Sequence, residues 1–366
     1  MVDKVRIGMI GVGQIGNIHM QAYQKLPVEI VAAADVSEAA LEKAAKDYGI
    51  KRTFTDFRKL LEMDEIVAVD VCLHNNLHAP VTMAALEAGK NVYCEKPIAG
   101  SYADGKAMLA AAKKTGKMLA MQLFSLFSLD TKAAQRLIQE GYLGDIYYAK
   151  SIGFRRRNRP YVDGYGTSSF VQQEIAAGGA LFDMGVYHIA QILYLLGNPA
   201  VETISGATHQ EIGMYEDRRK NANYSVEELG LGFVRLKGGV TFFIEESWAI
   251  HMGQPWPSEL YGSKGGVRLG PFSYHSTVAD MEMDATFDLQ GADVRWHRCI
   301  PDTDAYDSSQ AHWVAALQGR VPLIDSAGIG LATMKISEGI YRSSRLGREV
   351  TGEEVEKESK STAVKV

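Results

Sequence analysis

Lys96 follows the apolar run Asn91-Val92-Tyr93-Cys94 within Glu95-Lys96-Pro97, where a strand of a parallel sheet would end and ligands of such sheets gather. An ammonium desolvated there beside a cationic ring has its pKa pulled from ~10.4 toward neutrality and can give or take a proton. A second group lies in Gly178-Gly179-Ala180-Leu181-Phe182-Asp183-Met184-Gly185-Val186-Tyr187-His188, whose glycines allow close backbone approach. A helix would place Asp183 and Tyr187 on one face at i, i+4, with His188 about 100° further round. A carboxylate that orients a hydroxyl, with a phenol or imidazole that shuttles its proton, is the equipment for oxidising a secondary alcohol. Taken alone, the same residues could be an ordinary amphipathic helix and a surface lysine.

A third group concerns phosphate. Gly11-Val12-Gly13-Gln14-Ile15-Gly16 follows an apolar run directly and opens a helical stretch. It supplies a tight turn, a close approach of backbone to a pyrophosphate, and helix packing at Gly16. A second strand ends at Asp35, near the ~20-residue spacing of the acid that binds the adenosine ribose. Asp35 would repel a 2'-phosphate and no arginine follows in Val36-Ser37-Glu38-Ala39, so NAD is favoured over NADP.

The elements that must position these groups fall into two halves. From Val5 to about Leu123, short apolar strands (Val5 to Ile10, Glu29 to Ala34, Ala68 to Leu73, Asn91 to Cys94, Met118 to Met121) alternate with Ala-rich helices. Each run is nearly continuous in apolar residues, as a strand covered on both faces should be. Ser37 and Ser101 suit helix starts, and Gly49, Gly89 and Gly116 suit helix ends. Residues 1–125 thus read as a Rossmann-type, doubly wound parallel sheet. Residues 126–350 read as an α+β domain with a large, mostly antiparallel open sheet: Ile146 to Arg157, Val201 to His209, Leu229 to Leu236, Val240 to Ile250, and a hairpin at Gly262-Ser263-Lys264-Gly265-Gly266. One helix, Ala180 to Leu196, interrupts the series, and a helical stretch from Ser309 to Leu346 closes it. The charged tail, 351–366, reads as solvated.

These motifs together resemble the glucose-fructose oxidoreductase, inositol dehydrogenase and rhizopine-catabolism family, written Gfo/Idh/MocA. The resemblance rests on Gly11 to Gly16, Glu95-Lys96-Pro97, His74-Asn75-Asn76-Leu77-His78 and the Gly-Gly-x-x-x-Asp-x-Gly helix. It implies NAD(P)-dependent oxidation or reduction of a sugar, cyclitol or glycoside, including oxidation at ring carbon 3. Lys96 would be acid/base or substrate anchor, and Asp183 would hold a substrate hydroxyl. Asn75, His78 and Glu95 would join Lys96, Gly11, Gly13, Gln14, Ile15, Gly16 and Asp35 at the cofactor. Many members carry histidine four residues after the aspartate; here Tyr187 stands there, as in some relatives, with His188 beside it, and Tyr187 is the preferred proton carrier. Two other classes stay open: an NAD-dependent glycoside hydrolase working by oxidation and elimination, and a non-enzymatic dinucleotide-responsive regulator.

The remaining features are read more plainly. His74 and His78 have metal-ligand spacing but lack partners, so no metal is expected. Of Arg155-Arg156-Arg157-Asn158-Arg159, Arg156 is expected to face the substrate cleft, as is Tyr165 in the following Tyr- and Gly-rich loop. Trp248, His251 and Trp256 could line the pocket or a subunit interface. A net charge of -5 and 46% apolar residues argue against nucleic acid and for ordinary globular cores. Three cysteines, an N-terminus without a signal-peptide core and no long apolar run point to a cytoplasmic protein away from membranes. The open face of the sheet implies a homo-oligomer.

Overall fold

A computed structural model describes residues 4–253 and 257–366; Trp256 lies outside them. The first half alternates strand and helix: β1 (Val5–Ile10), α1 (Gln14–Tyr23), β2 (Val28–Ala34), α2 (Glu38–Tyr48), β3 (Arg52–Phe54), α3 (Phe57–Leu61), β4 (Ala68–Val71), α4 (Asn75–Glu87), β5 (Asn91–Cys94), α5 (Tyr102–Thr115) and β6 (Leu119–Met121). The strands form one parallel sheet in the order β3-β2-β1-β4-β5-β6. Its order reverses beside β1, which opens a crevice at the carboxyl ends of the strands. Local chemistry sets the helix ends as read: the Ser37 and Ser101 hydroxyls accept from Ala40 N and Asp104 N, and Gly49 and Gly116 take left-handed conformations at the exits of α2 and α5.

The second half contains α6 (Leu129–Gln139), β7 (Ile146–Phe154), α7 (Gln173–Ala176), a π-helical turn at Leu181–Gly185, α8 (Val186–Leu195), β8 (Val201–His209), α9 (Glu216–Ala222), β9 (Leu229–Leu236), β10 (Thr241–Ser247), β11 (Ser258–Gly262), β12 (Gly265–Leu269), β13 (Ser273–Val278), β14 (Met281–Thr286), α10 (Leu289–Cys299), α11 (Ser309–Leu317), α12 (Ser326–Leu346), β15 (Val350–Thr351) and α13 (Gly352–Glu358). Nine strands form a sheet ordered β14-β13-β12-β11-β7-β10-β9-β8-β15, antiparallel except for β7 with β10. One face packs on α8 and α12; the other presents Tyr148, Lys150, Leu231, Phe233, Phe243 and Tyr261, half-buried or exposed.

Several boundaries differ from the sequence reading. The helix expected over Ala180 to Leu196 begins with a wider π turn, and the stretch Ser309 to Leu346 is two helices separated by Gln318–Asp325. The tail is not solvated chain. Thr351 and Glu354 form a capping box that starts α13, and Thr362 N donates to Asp104 Oδ2 at 2.8 Å. Helix α12 joins the halves: its buried Ile329, Met334 and Ile336 share a core with Ile98, Met108 and Met121, and Ser326 Oγ accepts from Met121 N at 2.9 Å.

Candidate active site

The phosphate end of the site is built from backbone. Gly11 has φ +90°, and a side chain on it would overlap the Cys72 carbonyl; one on Gly16 would overlap Gly11 O. Gly13 faces open space, and the α1 N-terminus behind it has no side-chain cap, so its N–H groups are available to an anion. Asp35 ends β2 with Oδ2 accepting from Val12 N at 2.9 Å and Oδ1 from Ser37 N at 2.9 Å, which ties the glycine turn to the second strand. Gln14 and Ile15 are exposed on the first turn of α1. An open glycine cradle, an uncapped helix start and an acid at the β2 tip suit the pyrophosphate and ribose of a dinucleotide.

Three residues expected at the cofactor also make bonds within the protein. The buried His78 ring spans two carbonyls, Leu73 O at 3.0 Å and Pro97 O at 2.8 Å, and so fastens the start of α4 to the lysine loop. The Asn75 amide donates to Ala176 O at 2.7 Å. Glu95 points inward: Oε1 lies 2.8 Å from His19 Nε2 and Oε2 accepts from Lys96 N at 2.9 Å. His19 Nδ1 in turn lies 2.8 Å from Asp70 Oδ2. Burial lowers the imidazole's basicity, but the Asp70 charge more than reverses this and holds its pKa above the ordinary histidine value. His19 and Asp70 escaped the sequence reading, although His19 sits on the helix that the glycines open.

The proton chemistry is concentrated in the cleft between the sheets. Lys96 Nζ donates to Asp183 Oδ1 and to Asp183 O, both at 3.0 Å, and stands 4.8 Å from the centre of the Tyr187 ring. Burial alone would lower the ammonium's pKa as the sequence reading supposed. The Asp183 carboxylate, with Tyr187 and Glu95, overrides this and holds it above the ordinary lysine value. Asp183 is pushed up by burial and pulled down further by Lys96, leaving it below the usual carboxylate range. Its other oxygen accepts from Trp248 Nε1 at 3.0 Å. Burial raises the Tyr187 phenol despite the ammonium beside it, and the ring also packs on Phe124 at 4.3 Å.

The π turn explains why His188 is present as well. Its i, i+5 repeat absorbs one extra residue, so Asp183 and His188, five apart, line the same cavity with Tyr187 between them. That cavity has a volume of about 560 Å³ and is also lined by Phe124, Asp130, Arg155 and Gln191. A larger, more open groove beside Tyr142 and Tyr274 holds none of these groups. Arg155, not Arg156, faces the cleft: its Nη1 is 3.8 Å from Asp183 Oδ2 and it bonds the Tyr165 hydroxyl, while Arg156 is exposed. The reason is strand parity, since Ala149, Ser151 and Gly153 are buried and Arg155 continues their side. Burial lifts the Tyr165 phenol to about 12. Arg159 is fully buried against Asp163 and Glu228 at 2.8 and 2.7 Å and pins the loop that carries Tyr165. Trp248 is a buried wall of the site, whereas His251 is exposed.

Residues 5–123 match the model of an oxidoreductase family with an NAD-binding Rossmann fold, and residues 131–268 match the Gfo/Idh/MocA C-terminal domain. This chain belongs to the Gfo/Idh/MocA family. Within that family it is similar to the D-glucoside 3-dehydrogenase of Escherichia coli K12, 28% identical over 94% of this chain and 97% of the relative. It is also similar to the putative UDP-kanosamine synthase oxidoreductase subunit of Amycolatopsis mediterranei, 30% identical over 68% and 69%. The Gfo/Idh/MocA fold is shared with levoglucosan dehydrogenase solved with NADH and levoglucosan, at a TM-score of 0.78 and 21% identity over 95% of this chain and 99% of the other.

Proposed function

We propose that this protein is an NAD-dependent dehydrogenase that moves hydride between the nicotinamide and a secondary hydroxyl of a sugar, cyclitol or glycoside. The observation that carries the reading is the Lys96–Asp183 pair, 3.0 Å apart, at the strand ends of a dinucleotide fold and at the edge of a cavity the size of a small glycoside. Gly11, Gly13, Gly16 and Asp35 would hold the cofactor, whose nicotinamide supplies the hydride acceptor when bound. Lys96, kept charged by Asp183, donates a hydrogen bond to the substrate oxygen and stabilises the negative charge left as its proton departs. We take His188 in place of Tyr187 as the proton acceptor, because its imidazole lines the cavity while its Nδ1 lies 2.9 Å from the buried Glu246 carboxylate, whereas the Tyr187 ring packs against the Lys96 ammonium. Tyr187 then serves as a wall and hydrogen-bond partner for the sugar, and Arg155 with Tyr165 closes the side of the cleft.

The names of the relatives support a glycoside or a ring polyol as substrate. We also propose a cytoplasmic homo-oligomer joined through the open face of the nine-stranded sheet, where Phe233 is 40% exposed beside Phe243 and Tyr261. Among the described residues, no helix is long and apolar enough to cross a membrane. The test of function is NADH formation at 340 nm with NAD or NADP across free sugars, inositols and glycosides, with product sugars analysed in parallel. A signal with one class establishes the dehydrogenase. Sugar release without net NADH would replace this reading with the hydrolase.

A further inference from the structure

Glu246 has no part in the reaction so far, yet it is a carboxylate wholly shielded from solvent at the edge of the cleft. It lies on β10 on the inward side shared with Phe242 and Ile244. Placing an ionised acid among such neighbours is costly unless donors meet both of its oxygens. Two do: Ser151 Oγ on β7 is 2.8 Å from Oε1, and His188 Nδ1 is 2.9 Å from Oε2. The space is made by glycines. A side chain on Gly153 would overlap both the His188 ring and the Glu246 carboxylate, and one on Gly185 would crowd the Glu246 stem. The imidazole therefore bridges a buried acid and an open cavity, with about a third of its surface exposed and the acid's none.

We propose that Glu246, fixed by Ser151, is a positioning residue that binds Nδ1–H of His188 and so presents Nε2 to the cleft as a proton acceptor. The inference rests on the reading that His188 takes the substrate proton. It gives the cleft two separate proton devices: Lys96 with Asp183, which stays charged, and His188 with Glu246, which changes charge. Around the ring stand Glu246 from β10, Arg155 from the end of β7, Asp183 and Tyr187 from its own helix, Lys96 from the loop after β5, and Asp130 from α6 across the cavity. Burial lowers the ring's pKa, Glu246 more than restores it, and Arg155 opposes, for a net rise above the ordinary histidine value.

The experiment compares wild type with Glu246→Gln, which keeps the shape and removes the charge. In ¹⁵N-histidine NMR of the cofactor-free protein, wild-type His188 carries its neutral-state proton on Nδ1. In the variant its titration moves ~1 unit or more to lower pH, the range for losing an adjacent opposite charge. The acidic limb of kcat/KM shifts the same way, and kcat falls ~10- to 100-fold with KM for NAD unchanged. A folded Glu246→Gln protein with the wild-type titration and pH profile overturns the inference. If that variant does not fold, Ser151→Ala removes the donor to Oε1 and leaves His188 as the carboxylate's remaining partner, so the His188 titration and the acidic limb both move to higher pH; no movement overturns the inference. His188→Ala with wild-type turnover overturns instead the assignment of His188 as acceptor, whatever Glu246 does to the ring.

Discussion

Replacing Trp248 by Phe removes one hydrogen bond, Nε1–H to Asp183 Oδ2 at 3.0 Å, and little else in the site. The aspartate has three positively polarised partners, Lys96 at 3.0 Å, the indole at 3.0 Å and Arg155 at 3.8 Å. The first is the group that must meet the substrate oxygen. Without the indole, the carboxylate is free to turn toward Arg155 and draw Lys96 with it. A hydrogen bond to a charged group contributes about 1.5–3 kcal/mol. If that energy serves to hold Asp183 in its working orientation, its loss lowers kcat roughly 10- to 150-fold at 1.36 kcal/mol per tenfold. Trp248 touches no part of the glycine turn, so KM for NAD stays at the wild-type value. The assay is NADH formation on the substrate the wild type turns over, with a thermal melt to show that the variant is folded, since the ring is fully buried and the smaller one costs about 1–3 kcal/mol of stability. A folded Trp248→Phe protein with wild-type kcat refutes the argument that Asp183 must be held from both sides.

Other substitutions probe separate parts. Lys96→Ala leaves NAD binding by calorimetry near wild type and lowers turnover at least ~100-fold; normal turnover removes Lys96 from the mechanism. Asp35→Ser weakens NAD binding about tenfold or more and narrows the preference over NADP, read as the ratio of the two kcat/KM values. Arg159→Met leaves the buried Glu228 without its cation and Asp163 with only Arg157 at 3.5 Å, and costs about 3–5 kcal/mol in denaturant unfolding, an effect that a solvated ion pair would not show. Truncation after Glu358 deletes the bonds of Ser359, Thr362 and Val364 to Ala103, Asp104 and Asn76 and lowers the melting temperature by several degrees; an unchanged melt means that the tail packs without stabilising.

Five of the six strands of the parallel sheet were legible because strands buried on both faces leave nearly continuous apolar runs, and Asp35 and Lys96 could be placed by following such runs; β3, three residues long and largely exposed, was not. Strand β13 was not, because Ser, His and Thr dominate it at the rim of the larger sheet; β14 alternates Met281, Met283 and Ala285 with Glu282, Asp284 and Thr286, a period-2 signal that was readable and overlooked. In the tail the abundance of Glu and Lys masked a local signal, Thr351 with Glu354 three residues later, that marks a helix start independently of burial. The choice of Arg156 over Arg155 neglected alternation along β7: a count from Ala149 through Ser151 and Gly153 reaches Arg155. The same count from Phe242 and Ile244 reaches Glu246 and then Trp248, so a buried acid and an indole aimed at the site were readable from β10. The π turn was not. Nothing in the residues of Leu181–Gly185 distinguishes an i, i+5 turn from an ordinary one.

Helix α12 is 21 residues long, roughly 30 Å, and its Ser326 end and the tail beyond it are bonded to the dinucleotide half at Met121, Ala103 and Asp104. One helix therefore serves both halves at once. A chimera that exchanges residues 1–125 alone sets a foreign apolar surface against α12, at the place where Ile98, Met108 and Met121 now pack on Ile329, Met334 and Ile336. Because α12 also covers β8 and α8 of the larger half and β15 is an edge strand of its sheet, residues 326–366 cannot be assigned to either half alone, and a laboratory that wishes to change the cofactor half must redesign the face of α12 that meets α5 and β6.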